Sequence, residues 1–322
     1  MNTRVDWKRI RIYLAFAFGV AWLVALGLYL TGGLTANSTT LVILAVGYMG
    51  APSFAHVLTR LVTREGWHGL YLRPNFKQGK VYWLICWVAP FLFTFLGMVI
   101  FFVLFPQYYD PSLTVVRTLV ENITASGQAQ QTIEPWVIVA GQTLTALLMA
   151  PILNAIPILG EEFGWRAYLL PKLMPLGGRK AMVLMGIIWG LWHAPLIAMG
   201  HNYGTDYPGA PWSGILATVW IMFILGTFLG WAALRARSVW PAVIGHGAFN
   251  GIAGIYVFFT QGSPNLLLGP SMAGIIGSLG LAVVASIIFL KRDALTSADA
   301  IIAGHKTSDI RVIAPGMKHS GD

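Results

Sequence analysis

Two adjacent carboxylates, two histidines and a carboxamide form three short clusters in otherwise apolar sequence. The first cluster is GEEFGWRAYLLP, residues 160–171. Glu162 precedes Arg166 by four residues, the order that favours an ion pair along one helical face. Glu161 lies about 100° around the helix from Glu162 and has no helical Arg partner, so it is free to act as a base. Two neighbouring carboxylates near lipid resist joint ionisation, which suits one of them to general-base work. The Glu162–Arg166 pair also has a purely structural reading, an interfacial salt bridge that fixes the helix. The second cluster is WGLWHAP, residues 189–195. Trp189 stands one turn before His193 on the same face, and Pro195 predicts a kink near His193 because it removes a backbone donor. A membrane histidine standing alone reads as an interhelical hydrogen bond. The third cluster is HGAFN, residues 246–250, in which His246 and Asn250 are one turn apart and share a face.

These residue types suit amide hydrolysis. Glu161 would take a proton from a water that His193 helps to orient or deprotonate. His246 and Asn250 would donate hydrogen bonds to the developing oxyanion. No covalent nucleophile is needed. The HExxH pattern of zinc proteases is missing. Cys86 is the sole cysteine and reads as a small buried apolar residue. Ser213, at an outer helix start, has no histidine at matching depth.

The elements that must carry these clusters are membrane helices. Of the chain's 322 residues, 56% are hydrophobic and only 10% charged, against about a quarter charged in a soluble domain. Long apolar runs predict an all-α, polytopic membrane protein of about eight transmembrane helices around an intramembrane cavity. The spans fall near residues 12–31, 41–62, 81–105, 136–158, 181–199, 213–234, 240–260 and 271–290. Alternating strands of a β-barrel are not in evidence. The chain reads as one membrane domain over 1–322, with a core at 135–260 and a flexible cytoplasmic tail at 293–322. Residues 106–134 form the longest outside loop, with room for a short surface helix. Trp67, Trp136, Trp212 and Trp240 fall near span ends, as an interfacial belt would.

The basic residues test this count. Twenty of the 21 Lys and Arg lie on alternate segments, 1–11, 60–80, 160–180, 235–237 and 291–322, and Arg117 is the exception. The positive-inside rule then puts both termini in the cytoplasm, the expected setting being a bacterial cell membrane. The net charge of +9 follows from this bias and from attraction to anionic lipid headgroups. Nucleic acid is a poor partner, because the charge is scattered over five segments and forms no single stripe. Ten of the twelve acidic residues lie in loops or tails; Glu161 and Glu162, at the cytoplasmic end of the fourth span, are the exceptions. Intramembrane ionisable groups are functional-site candidates by default. By helical rise, His246 lies roughly 10 Å and His193 roughly 18 Å from the cytoplasmic boundary, which places the three clusters in the cytoplasmic half. His56 lacks such company and reads as structural. Pro151 and Pro157 weaken the helix before Glu161 and free carbonyls that need other partners.

GEEFGWR matches the EExxxR motif of the CAAX prenyl endopeptidase and bacteriocin-processing (CPBP, or Abi) family. WGLWH resembles its FxxxH motif, with Trp189 in place of Phe, and HGAFN resembles its HxxxN motif. The resemblance covers roughly residues 135–260. It implies a catalytic set of Glu161, His193, His246 and Asn250, supported by Glu162 and Arg166. It also implies an eight-helix fold whose cavity opens to the cytoplasm and the bilayer, and an intramembrane endopeptidase acting on a lipidated or membrane-associated peptide or protein. Trp189 puts the pocket's shape in doubt rather than the chemistry. Members are often labelled metalloproteases, and Glu161, His193 and His246 are the residues that would ligate Zn²⁺; the expectation here is a site without a metal. Two other function classes stand beside this one. A proton-coupled transporter would use the same Glu and His residues as a relay, but would carry charges across the whole membrane. A catalytically silent binding or immunity protein would use the cavity to hold a membrane helix.

Overall fold

The computed structural model describes residues 4–35, 37–126 and 133–296. The C-terminal segment from 297, which holds most of the expected tail, lies outside the described residues. Among those described the chain is helical, with no β-sheet and a single isolated bridge between Tyr109 and Thr260. The principal helices are α1 (Trp7–Leu30), α2 (Ser38–Thr63), α3 (Phe76–Leu104), α4 (Thr114–Ala125), α5 (Pro135–Leu148), α6 (Ala155–Gly164), α7 (Gly178–Trp192), α8 (Trp212–Ala236), α9 (Trp240–Ile252) and α10 (Leu279–Leu290). The short helix expected in the outside loop is α4. The chain is an integral membrane protein.

Five helical stretches are long and apolar enough to cross a membrane unaided: α1, α2, α3, α8 and the stretch Trp240–Phe259. The other three expected spans are interrupted, each where its sequence dictates. The fourth breaks into α5, a turn at Ala150–Leu153 and α6. Pro151 cannot donate to the Leu147 carbonyl, and the Trp87 indole donates to that oxygen instead, at 2.7 Å. The fifth is interrupted at His193, two residues before Pro195, and resumes at Ala194–Ala198. The eighth becomes regular only at Leu279, after a segment holding Pro270, Gly274 and Gly277. Irregular backbone at membrane depth is tolerated where protein buries it or a cavity adjoins it.

The loops collect on two opposite faces. On one, Lys172 and Arg9 reach Glu65, Asn75 donates to the Arg237 carbonyl, Arg179 donates to the Phe289 and Leu290 carbonyls and Arg235 donates to the Ala294 carbonyl. Among the described residues, the segments rich in Lys and Arg are therefore knitted to their neighbours on a single basic face. On the other, the Asp110 N–H donates to the Phe259 carbonyl, Gln261 joins Tyr108 and the Tyr203 hydroxyl donates to the Ala273 carbonyl.

Helices in lipid associate through close packing of small residues more than through apolar burial. Ala17, Ala21 and Ala25 make the buried stripe of α1, while Leu23, Leu26 and Leu30 point outward. α7 and α8 meet at Gly186 and Gly190, where a side-chain carbon would run into the backbone of Phe223 and Val219.

Candidate functional site

α6 carries the two carboxylates, and its register is fixed by α2. A side-chain carbon on Gly160 would strike the Met49 carbonyl, and one on Gly164 would strike Pro52. His56 of α2 completes this contact: its Nδ1 donates to the Phe163 carbonyl at 2.9 Å, and its Nε2 accepts from Arg60 Nε at 2.7 Å. A carbonyl only accepts, so the proton sits on Nδ1. His56 reads as structural by sequence, and it joins α2 to α6. Glu161 thus lies beside Met49–Pro52, roughly 20 Å from either end of α2 by the rise of ~1.5 Å per residue. That is mid-depth, deeper than a position at the end of the fourth span.

Behind the site lies a dry, charged layer. Glu162 is fully buried; its Oε1 accepts from Arg166 Nη1 at 2.8 Å and from His246 Nδ1 at 2.9 Å. The Arg166 guanidinium lies over the Trp189 ring, 4.0 Å from its centroid, a cation–π contact strengthened by the absence of water. Arg166 Nε and Nη2 and Trp165 Nε1 are buried without a partner among the described residues, so Glu162 and the ring are what balance this charge. The Trp189 indole N–H points the other way, to Glu161 Oε2 at 2.9 Å. One tryptophan therefore separates the two carboxylates: one is committed to a buried ion pair, and the other has, among the described residues, a single donor.

His193 occupies the break after α7. Its Nδ1 donates to the Trp189 carbonyl at 2.8 Å, which leaves Nε2 as the basic nitrogen. The break is braced from two sides, since the Tyr48 hydroxyl donates to the Trp192 carbonyl at 2.5 Å and the Trp22 indole donates to it at 3.2 Å. α9 brings in His246 and, one turn on, Asn250. The same helix is tied to the broken fourth span where Asn154 donates to the Gly247 carbonyl at 3.1 Å.

Glu161, His193, His246 and Asn250 line one cavity of about 310 Å³. Glu162, Arg166 and Trp189 stand outside it. Tyr48, His201 and Asn202 also line the cavity, and nothing in their local sequence singles them out. Tyr48 lies in an apolar run, and His201 falls in a loop eight residues after His193. The cavity's other walls include Leu196, Thr218, Ser271 and Ala273. It leads from Glu161 toward loops 200–202 and 271–273, away from the basic face, whereas the resemblance implied an opening on the cytoplasmic side. Ser213 takes no part in this site and donates to the Pro208 carbonyl at 2.6 Å. Cys86 is buried.

A zinc site from Glu161, His193 and His246 has the right donor types. Yet no three His, Cys, Asp or Glu side chains among the described residues are grouped as metal ligands. Glu161 Oε2 is taken by Trp189, and His246 Nδ1 by Glu162. As arranged, the donors do not converge on one ion.

Comparison with known proteins finds a likeness, over part of the chain, to the family that the motifs resemble. Residues 141–252 match the family described as type II CAAX prenyl endopeptidase Rce1-like. A stretch of 93 residues is 34% identical to CAAX prenyl protease 2 of Methanococcus maripaludis. The stretch is 28% of this chain and 34% of that protein, so the chain spans about a third of the length of the curated relative it matches. The resemblance read from GEEFGWR, WGLWH and HGAFN is borne out over the segment that holds all three.

Proposed function

We propose that this protein is an intramembrane endopeptidase that hydrolyses a peptide bond in a lipidated or membrane-associated polypeptide, with both termini in the cytoplasm. One observation carries the reading: Glu161, His193, His246 and Asn250 line a single cavity, while the Arg166 guanidinium is held behind Trp189, on Glu162. A water between Glu161 and His193 is oriented by His193 Nε2 and gives its proton to the Glu161 carboxylate. The hydroxide adds to the scissile carbonyl carbon. The oxyanion receives hydrogen bonds from the Asn250 carboxamide and from His246 Nε2. Donation from both His246 nitrogens requires the imidazolium, which shares the Glu162 carboxylate with Arg166 and leaves Glu161 as the second carboxylate for the two cations. The tetrahedral intermediate collapses with loss of the C–N bond, and Glu161 returns its proton to the departing amine. Water is the nucleophile throughout, and each step uses the side chains named.

The test is cleavage by purified protein in detergent or liposomes. The substrates are a farnesylated CAAX peptide and a panel of membrane-anchored peptides. Loss of cleavage in Glu161→Gln and His193→Ala, with no response to a chelator, is expected. Loss on chelation, restored by Zn²⁺, would overturn the metal-free mechanism. Function retained by Glu161→Gln would favour a silent binding protein.

A further inference from the structure

The cavity is closed on one side and open on the other. Between Glu161 and the basic face lie Tyr13, Trp165, Arg166, Tyr168 and Trp189, each exposed by 1% or less. Beyond them a second closure is made by Glu65, which accepts from Lys172 at 2.6 Å and from the Tyr168 hydroxyl at 3.0 Å. A substrate cannot reach Glu161 from that face without dismantling α6 and both charged layers. Toward the other face the lining changes character. His201 and Asn202 are exposed, and the walls are uncharged residues of loops and helix ends.

The face on which the cavity opens is the one poor in Lys and Arg. Segments 31–40, 200–212 and 261–278 contain no Lys or Arg and 106–134 contains Arg117 alone, while the Lys- and Arg-rich loops are bonded together on the sealed side. Lys and Arg in short loops are retained in the cytoplasm, so this mouth is on the non-cytoplasmic side. We infer that the substrate is a membrane-anchored polypeptide whose scissile bond is presented from the non-cytoplasmic side, an apolar side chain entering between Leu44, Ile221, Met222, Leu225 and Phe249. This rests on the endopeptidase reading for the word substrate; the side of access rests on the cavity and the charge pattern alone. The mouth is uncharged, which suits a neutral or apolar segment better than a charged one.

Two measurements test it. Single cysteines replace Asn202 at the mouth, Ala253 in the wall and Lys180 on the basic face, in a Cys86→Ala background. In right-side-out vesicles a membrane-impermeant maleimide is expected to label Asn202→Cys and Ala253→Cys at once, and Lys180→Cys only after permeabilisation. Labelling of Ala253→Cys from the cytoplasmic side alone, or of Lys180→Cys from outside, would overturn the inference. In parallel, an impermeant apolar peptide cleaved by the detergent-solubilised protein is given to right-side-out and inverted vesicles. At least tenfold faster cleavage by right-side-out vesicles is expected, and the reverse ratio would overturn the inference. If solubilised protein cleaves nothing in the panel, the endopeptidase reading falls, while the labelling still decides the side of access.

Discussion

Glu162 of α6 accepts a hydrogen bond from His246 of α9 at 2.9 Å, across 84 residues of chain. The same carboxylate oxygen holds Arg166, so the second glutamate of the pair aims the histidine and ties two helices together. Its neighbour Glu161 faces the cavity. The two carboxylates should therefore fail in different ways. Glu161→Gln is isosteric and leaves the ion pair intact, so the expected outcome is a normal melting temperature with turnover down about 10²–10⁴-fold. Glu162→Ala strips the counter-charge from a buried guanidinium, a loss of roughly 3–5 kcal/mol, and should lower the melting temperature in detergent. Equal stability of the two variants would contradict this division.

Trp189 stands where the motif of the family it resembles has phenylalanine. The ring carries Arg166 on its face, and the indole N–H reaches Glu161. Trp189→Phe keeps a ring for the cation but removes the donor. A hydrogen bond to a charged group is worth about 1.5–3 kcal/mol, so a free Glu161 loses its fixed orientation and kcat should fall roughly tenfold or more, with stability little changed. Trp189→Ala should also destabilise, since Arg166 then loses its ring. Comparable kcat in wild type and Trp189→Phe would show that the indole N–H does not position the base.

Asp110, on the face opposite the basic loops, fastens the start of α4. Its carboxylate accepts the Ser112 N–H at 2.9 Å and the Thr114 N–H at 2.6 Å. Burial alone raises this carboxyl, and the N–H donors of Thr114 and Ser112 outweigh it, leaving the group below its ordinary value. A depressed folded-state pKa contributes stability that is fully present above the unfolded value, about 3.9. That contribution is lost as pH falls through the folded value. Hydrogen exchange in α4, relative to the intrinsic rate at each pH, should accelerate below about pH 4 in the wild type. In Asp110→Ala it should be fast at neutral pH already, at a cost of about 1 kcal/mol, with no acid step of its own. An unchanged acid step in the variant would assign the transition to other groups.

Much of the site was legible because its residues obey local rules. Charged and polar side chains stand out in apolar runs, His246 and Asn250 share a face by spacing alone, and Pro195 dictates the break at His193. The basic loops announced their common face. What the sequence withheld was set by packing between distant segments. Arg166 is an obvious helical partner for Glu162, but nothing local says that His246 arrives on the same oxygen. Tyr48 bonds to a carbonyl 144 residues away, and a tyrosine in an apolar run carries no signal of that. The eighth span reads as continuous by hydropathy and becomes regular only at Leu279, whereas Pro151 and Pro195 mark the breaks in the fourth and fifth. The direction in which the cavity opens was hidden too, because it depends on which helix ends are plugged by Trp165 and Tyr168.

Asn250 and His246 sit one turn apart on the cavity wall, and the proposed oxyanion contacts make them a unit. Asn250 is exposed in the cavity and ties no helix to another, so Asn250→Ala should fold normally. Removal of one oxyanion donor costs about 10²–10³ in kcat, and because the contact forms as charge develops, KM should barely move. His246→Ala should cost at least as much, with an added loss of stability from Glu162. Groups serving one oxyanion are not additive, so Asn250→Ala/His246→Ala should be little worse than His246→Ala alone. Fully multiplicative losses in the double variant would place the two side chains on different steps, and a raised KM at constant kcat would make Asn250 a substrate-binding group instead.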